Sequence, residues 1–309
     1  PDDWFPVSMY CDSCNSDETH ITSFEGHSLT YVCRCGHSET VDVRKSSNVK
    51  LPWRVDWPMR WALEKIMFEP GGKDHSTQGG SFDTAKEIVK LFDWEAPLYL
   101  MYDFVRIKGG GGKISSSIGD VITVTDALEV YEPEIIRWLF AGSRPGSEFA
   151  IAFDLDVIKV YEDFDKCERI YFGEHKVSDK EFANQKRIYE LSCVSDVPKK
   201  LPYQPSFRHL TNVLLMNDLD IEKSIGYYEK ELKGKKDKEK LRTRADCAVR
   251  WLQKHAPDDF TFSINKKTPS VKLSSAQVSA LKDVAKALKA KEWEDKDLHE
   301  ELYVILTNH

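Results

Sequence analysis

A chain of 309 residues, 41% hydrophobic and 31% charged, is long enough for two or more domains and has the composition of an ordinary soluble globular protein. Its formal net charge of −7 excludes a global basic footprint for nucleic acid, so RNA contact would require local patches. No stretch reaches roughly 18 consecutive apolar residues, the length of a membrane-spanning helix, and no N-terminal signal pattern is present. The chain opens on Pro1-Asp2-Asp3-Trp4 without a Met, as a fragment or a processed product would.

Met9 to Val43 reads as a compact module. Four of the seven cysteines crowd into it: Cys11 and Cys14 as Cys-x-x-Cys, Cys33 and Cys35 as Cys-x-Cys, with a strand expected over Leu29 to Val32. Four thiolates on two hairpin tips satisfy a tetrahedral Zn²⁺, and so small a module needs a staple. Two disulfides are the alternative. The second pair departs from Cys-x-x-Cys, so His20, His27 or His37 could replace a thiolate, with His37 the nearest. Cys167, Cys193 and Cys247 stand alone, as buried thiols of a reducing, cytoplasmic compartment do.

Lys50 to Trp61 (Lys-Leu-Pro-Trp-Arg-Val-Asp-Trp-Pro-Met-Arg-Trp) is dense in tryptophan and arginine. A helix is expected from Pro58, since proline tolerates a first helical turn. Trp57 and Trp61 then share a face and could simply fill a core. Asp56 lies between tryptophans, where a carboxylate wants a cation; a substrate ammonium with an aromatic wall would serve, and so would Arg54 or Arg60. Met67 to His75 next reads as a short strand ending in Gly71-Gly72 with Asp74 and His75 beyond, the look of the carboxyl edge of a nucleotide-binding sheet. Asp74 is placed for ribose hydroxyls, although Asp-His could equally be a turn with a helix cap. A helix over Phe82 to Phe92 and a buried strand over Leu98 to Ile107 complete a β-α-β half.

The strand runs into Lys108-Gly109-Gly110-Gly111-Gly112-Lys113-Ile114-Ser115-Ser116-Ser117. Glycines, one lysine and three hydroxyls between a strand and a helix (Thr125 to Ala141) suit a polyphosphate; a plain flexible connection is the alternative. Walker spacing is absent. After Ala150 helices take over: Leu155 to Tyr171 with Val157, Val160, Tyr161 and Phe164 inward, Phe207 to Met216, and an apolar face of Val278, Leu281, Val284, Ala285 and Leu288 after a cap at Ser274 or Ser275. Between them Glu229 to Arg244 is rich in lysine and arginine, either a solvated helix face or an RNA contact.

The ordered set Leu51-Pro52-Trp53-Arg54-Val55-Asp56-Trp57-Pro58, Phe68-Glu69-Pro70-Gly71-Gly72-Lys73-Asp74-His75, Gly79-Gly80-Ser81-Phe82-Asp83 and Lys113-Ile114-Ser115-Ser116-Ser117 resembles the class I lysyl-tRNA synthetases. The last resembles their Lys-Met-Ser-Lys-Ser loop, with Ser116 at the second lysine. Glu132 to Arg137, Ser143 to Pro145 and Phe164 to Gly173 extend the resemblance, which runs from Cys11 to about Leu215 and fades into a helical tail similar to the family's anticodon-binding end.

That resemblance implies an α/β Rossmann-like half-domain with a zinc-ribbon insertion, followed by an all-α domain of the α-helix-cage type. The implied segments are 1–48 (zinc module), 49–148 (second Rossmann half), 149–205 (helical connection) and 206–309 (incomplete anticodon-binding region). The implied activity is lysine–tRNA ligation: L-lysine and ATP, with Mg²⁺, give the adenylate, and tRNA(Lys) receives the lysyl group. Lys113 with Ser115, Ser116 and Ser117 would be catalytic; Gly71, Gly72, Asp74 and Lys113 would bind ATP; Trp53, Asp56, His75 and Tyr102 would line the lysine pocket; Cys11, Cys14, Cys33 and Cys35 would hold zinc. The family's His-Ile-Gly-His motif is missing from the context of all nine histidines, so Pro1 is expected to lie inside the insertion that divides the Rossmann halves. The chain ends within a helical pattern, and alone it is expected to be inactive. A non-enzymatic RNA-binding module, zinc ribbon plus helical bundle, is the rival reading.

Overall fold

The computed structural model describes residues 5–108, 122–267 and 270–309. It divides into two compact units, Pro1–Thr261 and Phe262–His309. The first opens on β1 (Ser8–Met9), followed by the antiparallel meander β2 (Thr19–Glu25), β3 (Ser28–Cys33) and β4 (Ser38–Asp42), and by β5 (Val49–Lys50), which pairs antiparallel with β1. In β3 the alternation decides the buried face: Leu29, Tyr31 and Cys33 point inward onto Met9, Cys11 and Ile21. The β2–β3 hairpin turns through Gly26, whose φ of 60° favours glycine.

Next come α1 (Trp53–Leu63), β6 (Phe68–Gly72), a 3₁₀ turn over Lys73–His75, α2 (Ser81–Ile88) running into a second 3₁₀ turn over Val89–Phe92, and β7 (Leu98–Tyr102) parallel to β6. The helix expected from Pro58 begins five residues earlier, and Pro58 sits inside it. An interior proline removes a backbone hydrogen bond and costs about 3 kcal/mol. Burial of Trp57 and Trp61 against Ala85, Val89 and Phe82 offsets that cost.

The single strand expected over Leu98 to Ile107 is two. The second, β8 (Val105–Ile107), belongs to another sheet, parallel to a strand that follows two helices. Asp103 breaks the run: its N–H donates to the Pro145 carbonyl (2.7 Å), and its carboxylate accepts from Phe104 N–H (2.8 Å) and Lys73 (2.9 Å). The helix expected over Thr125 to Ala141 is likewise two, α3 (Val124–Val130) and α4 (Pro133–Gly142), because the residue before a proline avoids the helical region. Glu132 is accordingly extended, at ψ 145°. Then β9 (Phe149–Ile151) closes onto β8. The glycine run 109–112, Lys113, Ser115, Ser116 and Ser117 lie outside the described residues.

The remainder of this unit is helical: α5 (Asp156–Tyr171), α6 (Asp179–Ser192), α7 (Phe207–Met216), α8 (Ile221–Gly226) and α9 (Lys235–Lys254). One core gathers Val130, Tyr161, Phe164, Phe207, Leu241 and Trp251, with Tyr161 stacked on Phe207 at 4.0 Å. The lysine- and arginine-rich run is not uniformly solvated, because Arg244 is fully buried. The second unit is a pair of helices, α10 (Ser275–Ala290) and α11 (Asp295–Thr307), the former opened by a reciprocal cap between Ser274 and Gln277. Val278, Leu281 and Leu288 of its expected apolar face are exposed there. Among the described residues no helix is long and apolar enough to cross a membrane.

Candidate functional site

The parallel pair β6–β7 runs in register from Phe68↔Leu98 to Gly72↔Tyr102, so Gly71, Gly72, Met101 and Tyr102 lie together at the carboxyl edge, where open parallel sheets receive ligands. Gly71 leaves room that a side chain would take from Tyr99. A Cβ there would stand 2.0 Å from the Tyr99 hydroxyl oxygen, and Tyr99 is held by stacking on Phe82 at 3.8 Å and by a 2.8 Å bond with Ser76. At Gly72 a Cβ would meet Asp74 Oδ1 at 2.8 Å, the Tyr102 ring at 3.7 Å and the His75 ring at 3.9 Å. Gly72, Asp74, His75 and Tyr102 therefore converge on one small space left open by the missing side chain. Lys73 turns away from it to Asp103.

One wall of this space is aromatic. Trp53, Trp57 and Trp61 recur every fourth residue of α1 and so share a face. Trp53 stacks on Trp57 (5.2 Å, 19° between planes), Trp57 meets Trp61 edge-on (4.8 Å), and both Trp53 and Trp57 lie near the His75 ring, at 5.8 and 5.7 Å. Trp57 and Trp61 are buried, while Trp53 remains half exposed. Trp53, His75 and Tyr102 keep exposed surface at this edge, and an exposed indole face suits a cation. The Asp56 carboxylate takes the Arg60 guanidinium at 2.7 Å, one turn along α1. Of the two internal partners expected for it, Arg60 is the one used.

Glu69 was not singled out from sequence, yet it organises the wall. Its two carboxylate oxygens accept the indole N–H groups of Trp57 and Trp61, each at 3.2 Å. A signal for it existed: Glu69 alternates with Gly71 on the covered face of β6, and a carboxylate under a helix requires donors. The two indoles spaced four residues apart are those donors.

In the N-terminal module the four cysteines converge. Their sulfurs all lie within 4.8 Å of one another, with Cys11–Cys35 at 3.8 Å and Cys14–Cys33 at 3.6 Å. Disulfide sulfurs would lie at about 2.05 Å, and all seven cysteines are free thiols. Tetrahedral thiolates about 2.3 Å from Zn²⁺ would place sulfurs roughly 3.8 Å apart, so the donor set fits such an ion. His37 stands aside, bonded to Glu39 at 3.1 Å.

A third cluster, also unseen in sequence, ties the helices together. Arg244, with no exposure, donates to both oxygens of Asp165 (2.8 Å each), to Glu132 (2.7 Å) and to the Pro205 carbonyl (2.8 Å), while Lys240 reaches the other Glu132 oxygen at 2.5 Å. Burial alone would raise the Glu132 pKa, but Arg244 and Lys240 outweigh it and hold the carboxyl below its ordinary value. Glu168, accepting from Tyr189 and Gln204, goes the other way, pushed up by burial.

The family model described as tRNA synthetases class I (K) matches residues 1–195. The lysine–tRNA ligase of Borreliella burgdorferi is 46% identical over 309 residues, covering 98% of this chain and 59% of the relative. Those of Treponema pallidum (44%, 98% and 58%) and Thermococcus kodakarensis (43%, 94% and 56%) are similar to it in the same way. The chain thus spans less than two thirds of the length of these relatives.

Proposed function

Because this chain belongs to the class I (K) tRNA synthetases, we propose that it forms part of a lysine–tRNA ligase, one that activates L-lysine with ATP and Mg²⁺ and passes the lysyl group to tRNA(Lys). The observation that carries the reading is the convergence of Trp53, Gly72, Asp74, His75 and Tyr102 at the carboxyl edge of a parallel β-α-β unit. In this reading the chain supplies the second half of a Rossmann-like catalytic domain over 49–148. The zinc module occupies 1–48, and the helices of 149–205 and 206–309 form connecting and anticodon-binding regions of the α-helix-cage type. Trp53, Asp56, His75 and Tyr102 line the lysine pocket, with the Asp56 carboxylate also paired to Arg60.

Gly72 lets the nucleotide approach the backbone, Gly71 makes room for Tyr99 behind it, and Asp74 takes the ribose hydroxyls. Lys113, with Ser115, Ser116 and Ser117, holds the departing pyrophosphate, where charge grows in the transition state. Such a site works by positioning and charge stabilisation, not by covalent chemistry on the protein. Cys11, Cys14, Cys33 and Cys35 hold a structural Zn²⁺, which closes the module around its small core and takes no part in the reaction. The test is ATP–pyrophosphate exchange by a full-length protein carrying this chain, assayed with each amino acid in turn. Exchange that depends on lysine supports the assignment; exchange driven by another amino acid and not by lysine refutes it.

A further inference from the structure

The aromatic wall could be merely packed, yet its geometry depends on a charged group. Glu69 sits on the strand beneath α1 and accepts an indole N–H on each carboxylate oxygen. One of these bonds fixes the rotation of Trp57 and the other that of Trp61, and Trp57 is otherwise surrounded by the rings of Trp53, Trp61, His75, Phe82 and Tyr99. Ring contacts tolerate sliding and tilting; an indole N–H held by a carboxylate oxygen does not, and the shared carboxylate locks the two indoles to each other. The orientation of Trp57 in turn sets the plane on which the half-exposed Trp53 stacks and the gap between both indoles and His75.

Charge adds a second effect. Tryptophan faces attract cations through their ring quadrupole. An indole that donates to a carboxylate becomes more electron-rich, and the anion behind the stack favours a cation in front of it. We propose that Glu69 is a positioning and specificity-determining residue: through Trp57 and Trp61 it aligns the indole wall and biases the site toward a side chain ending in an ammonium over an uncharged one of the same length. This rests on the reading of the site as a lysine pocket, and the experiment separates the two.

The indole N–H resonances of the chain are followed during titration with L-lysine and, separately, with L-norleucine, which carries the same stem without the ammonium. The unmodified chain, Glu69→Gln and Trp53→Ala are compared. In Gln one oxygen becomes an N–H donor facing an indole N–H, so one bond is lost while the volume is kept. The expected result is that lysine perturbs the Trp53 and Trp57 signals, that Glu69→Gln weakens lysine binding by about tenfold, the scale of removing a unit charge from behind the cation at intermediate dielectric, and that the response to norleucine does not change.

Lysine affinity within twofold of the original in Glu69→Gln overturns the inference while leaving the pocket in place. An equal loss for lysine and norleucine overturns it as well, since that is what a purely structural role would produce. Absence of any lysine-dependent shift at Trp53 and Trp57 removes the pocket reading and this inference with it. Should Glu69→Gln lose its fold, Trp61→Phe takes its place: it removes one of the two donors, keeps the packing, and is expected to weaken lysine several-fold, with an unchanged affinity again overturning the proposal.

Discussion

Replacing Arg244 by Met removes a charge that the fold buries completely and leaves the aliphatic stem volume nearly intact. Two carboxylates then lose their partner: Asp165 loses both of its guanidinium bonds, and Glu132 keeps only Lys240. The Pro205 carbonyl loses its donor as well. Breaking a buried ion pair from one side costs about 3–5 kcal/mol, most of it the penalty of an uncompensated charge, against a total stability of about 5–15 kcal/mol. In urea, with a slope near 3 kcal/mol/M, the midpoint should fall by about 1 M or more when unfolding is followed by helical circular dichroism.

The pH dependence gives the mechanism. Glu132 is held below its ordinary pKa, so its contribution is fully present above the unfolded value, near 4.3, and is lost as pH falls through the lower folded value. The gap between Arg244→Met and the unmodified chain should therefore be widest at neutral pH and narrow below about pH 4. Adding Glu132→Gln and Asp165→Asn to Arg244→Met should restore part of the loss. A midpoint shift worth under about 1 kcal/mol, or one independent of pH, would refute the reasoning.

Three further outcomes are expected. Purified chain should carry about one zinc per molecule, and Cys11→Ser should lose it together with amide protection in the β2–β4 meander, since structural zinc binding is folding energy for so small a module; metal-free protein with two disulfides by mass spectrometry would contradict this. Gly71→Ala should lower stability by about 1–3 kcal/mol in thermal unfolding, the cost of forcing Tyr99 from its place over Phe82, and a change below about 0.5 kcal/mol would show that Tyr99 yields freely. In a full-length protein carrying the chain, Lys113→Ala should cut kcat for lysine-dependent ATP–pyrophosphate exchange by roughly 10²–10³ with the KM for lysine nearly constant; a raised KM for ATP at unchanged kcat would make the lysine a passive clamp.

Local rules made much of the fold legible. The helix expected over Phe207 to Met216 has those bounds, because Ser206 caps it and its apolar face repeats at helical spacing. The strand expected over Leu29 to Val32 lies within β3, where alternation is strict. The cysteine spacings alone indicated a four-sulfur cluster, and the sulfurs do converge. The Gly-Gly pair was readable as the end of a short strand, and β6 does stop at Gly72.

The tertiary structure decided what no local rule could. Pro58 stays within α1 because buried indoles outweigh one lost backbone bond. Leu98 to Ile107 divides because Asp103 finds partners in Lys73 and Pro145, segments tens of residues away. Asp56 faces Arg60, while Glu69, unremarkable in sequence, receives two tryptophans from 8 and 12 residues earlier. Arg244 read as one more charge in a basic run, and its partners Asp165 and Glu132 lie 79 and 112 residues away. Periodicity, capping and ligand spacing act between near neighbours and are written in the chain. Which charge meets which across such separations depends on how the buried surfaces close, and desolvation then fixes the pairing, because a charge taken out of water must find its counterpart among the groups brought in with it.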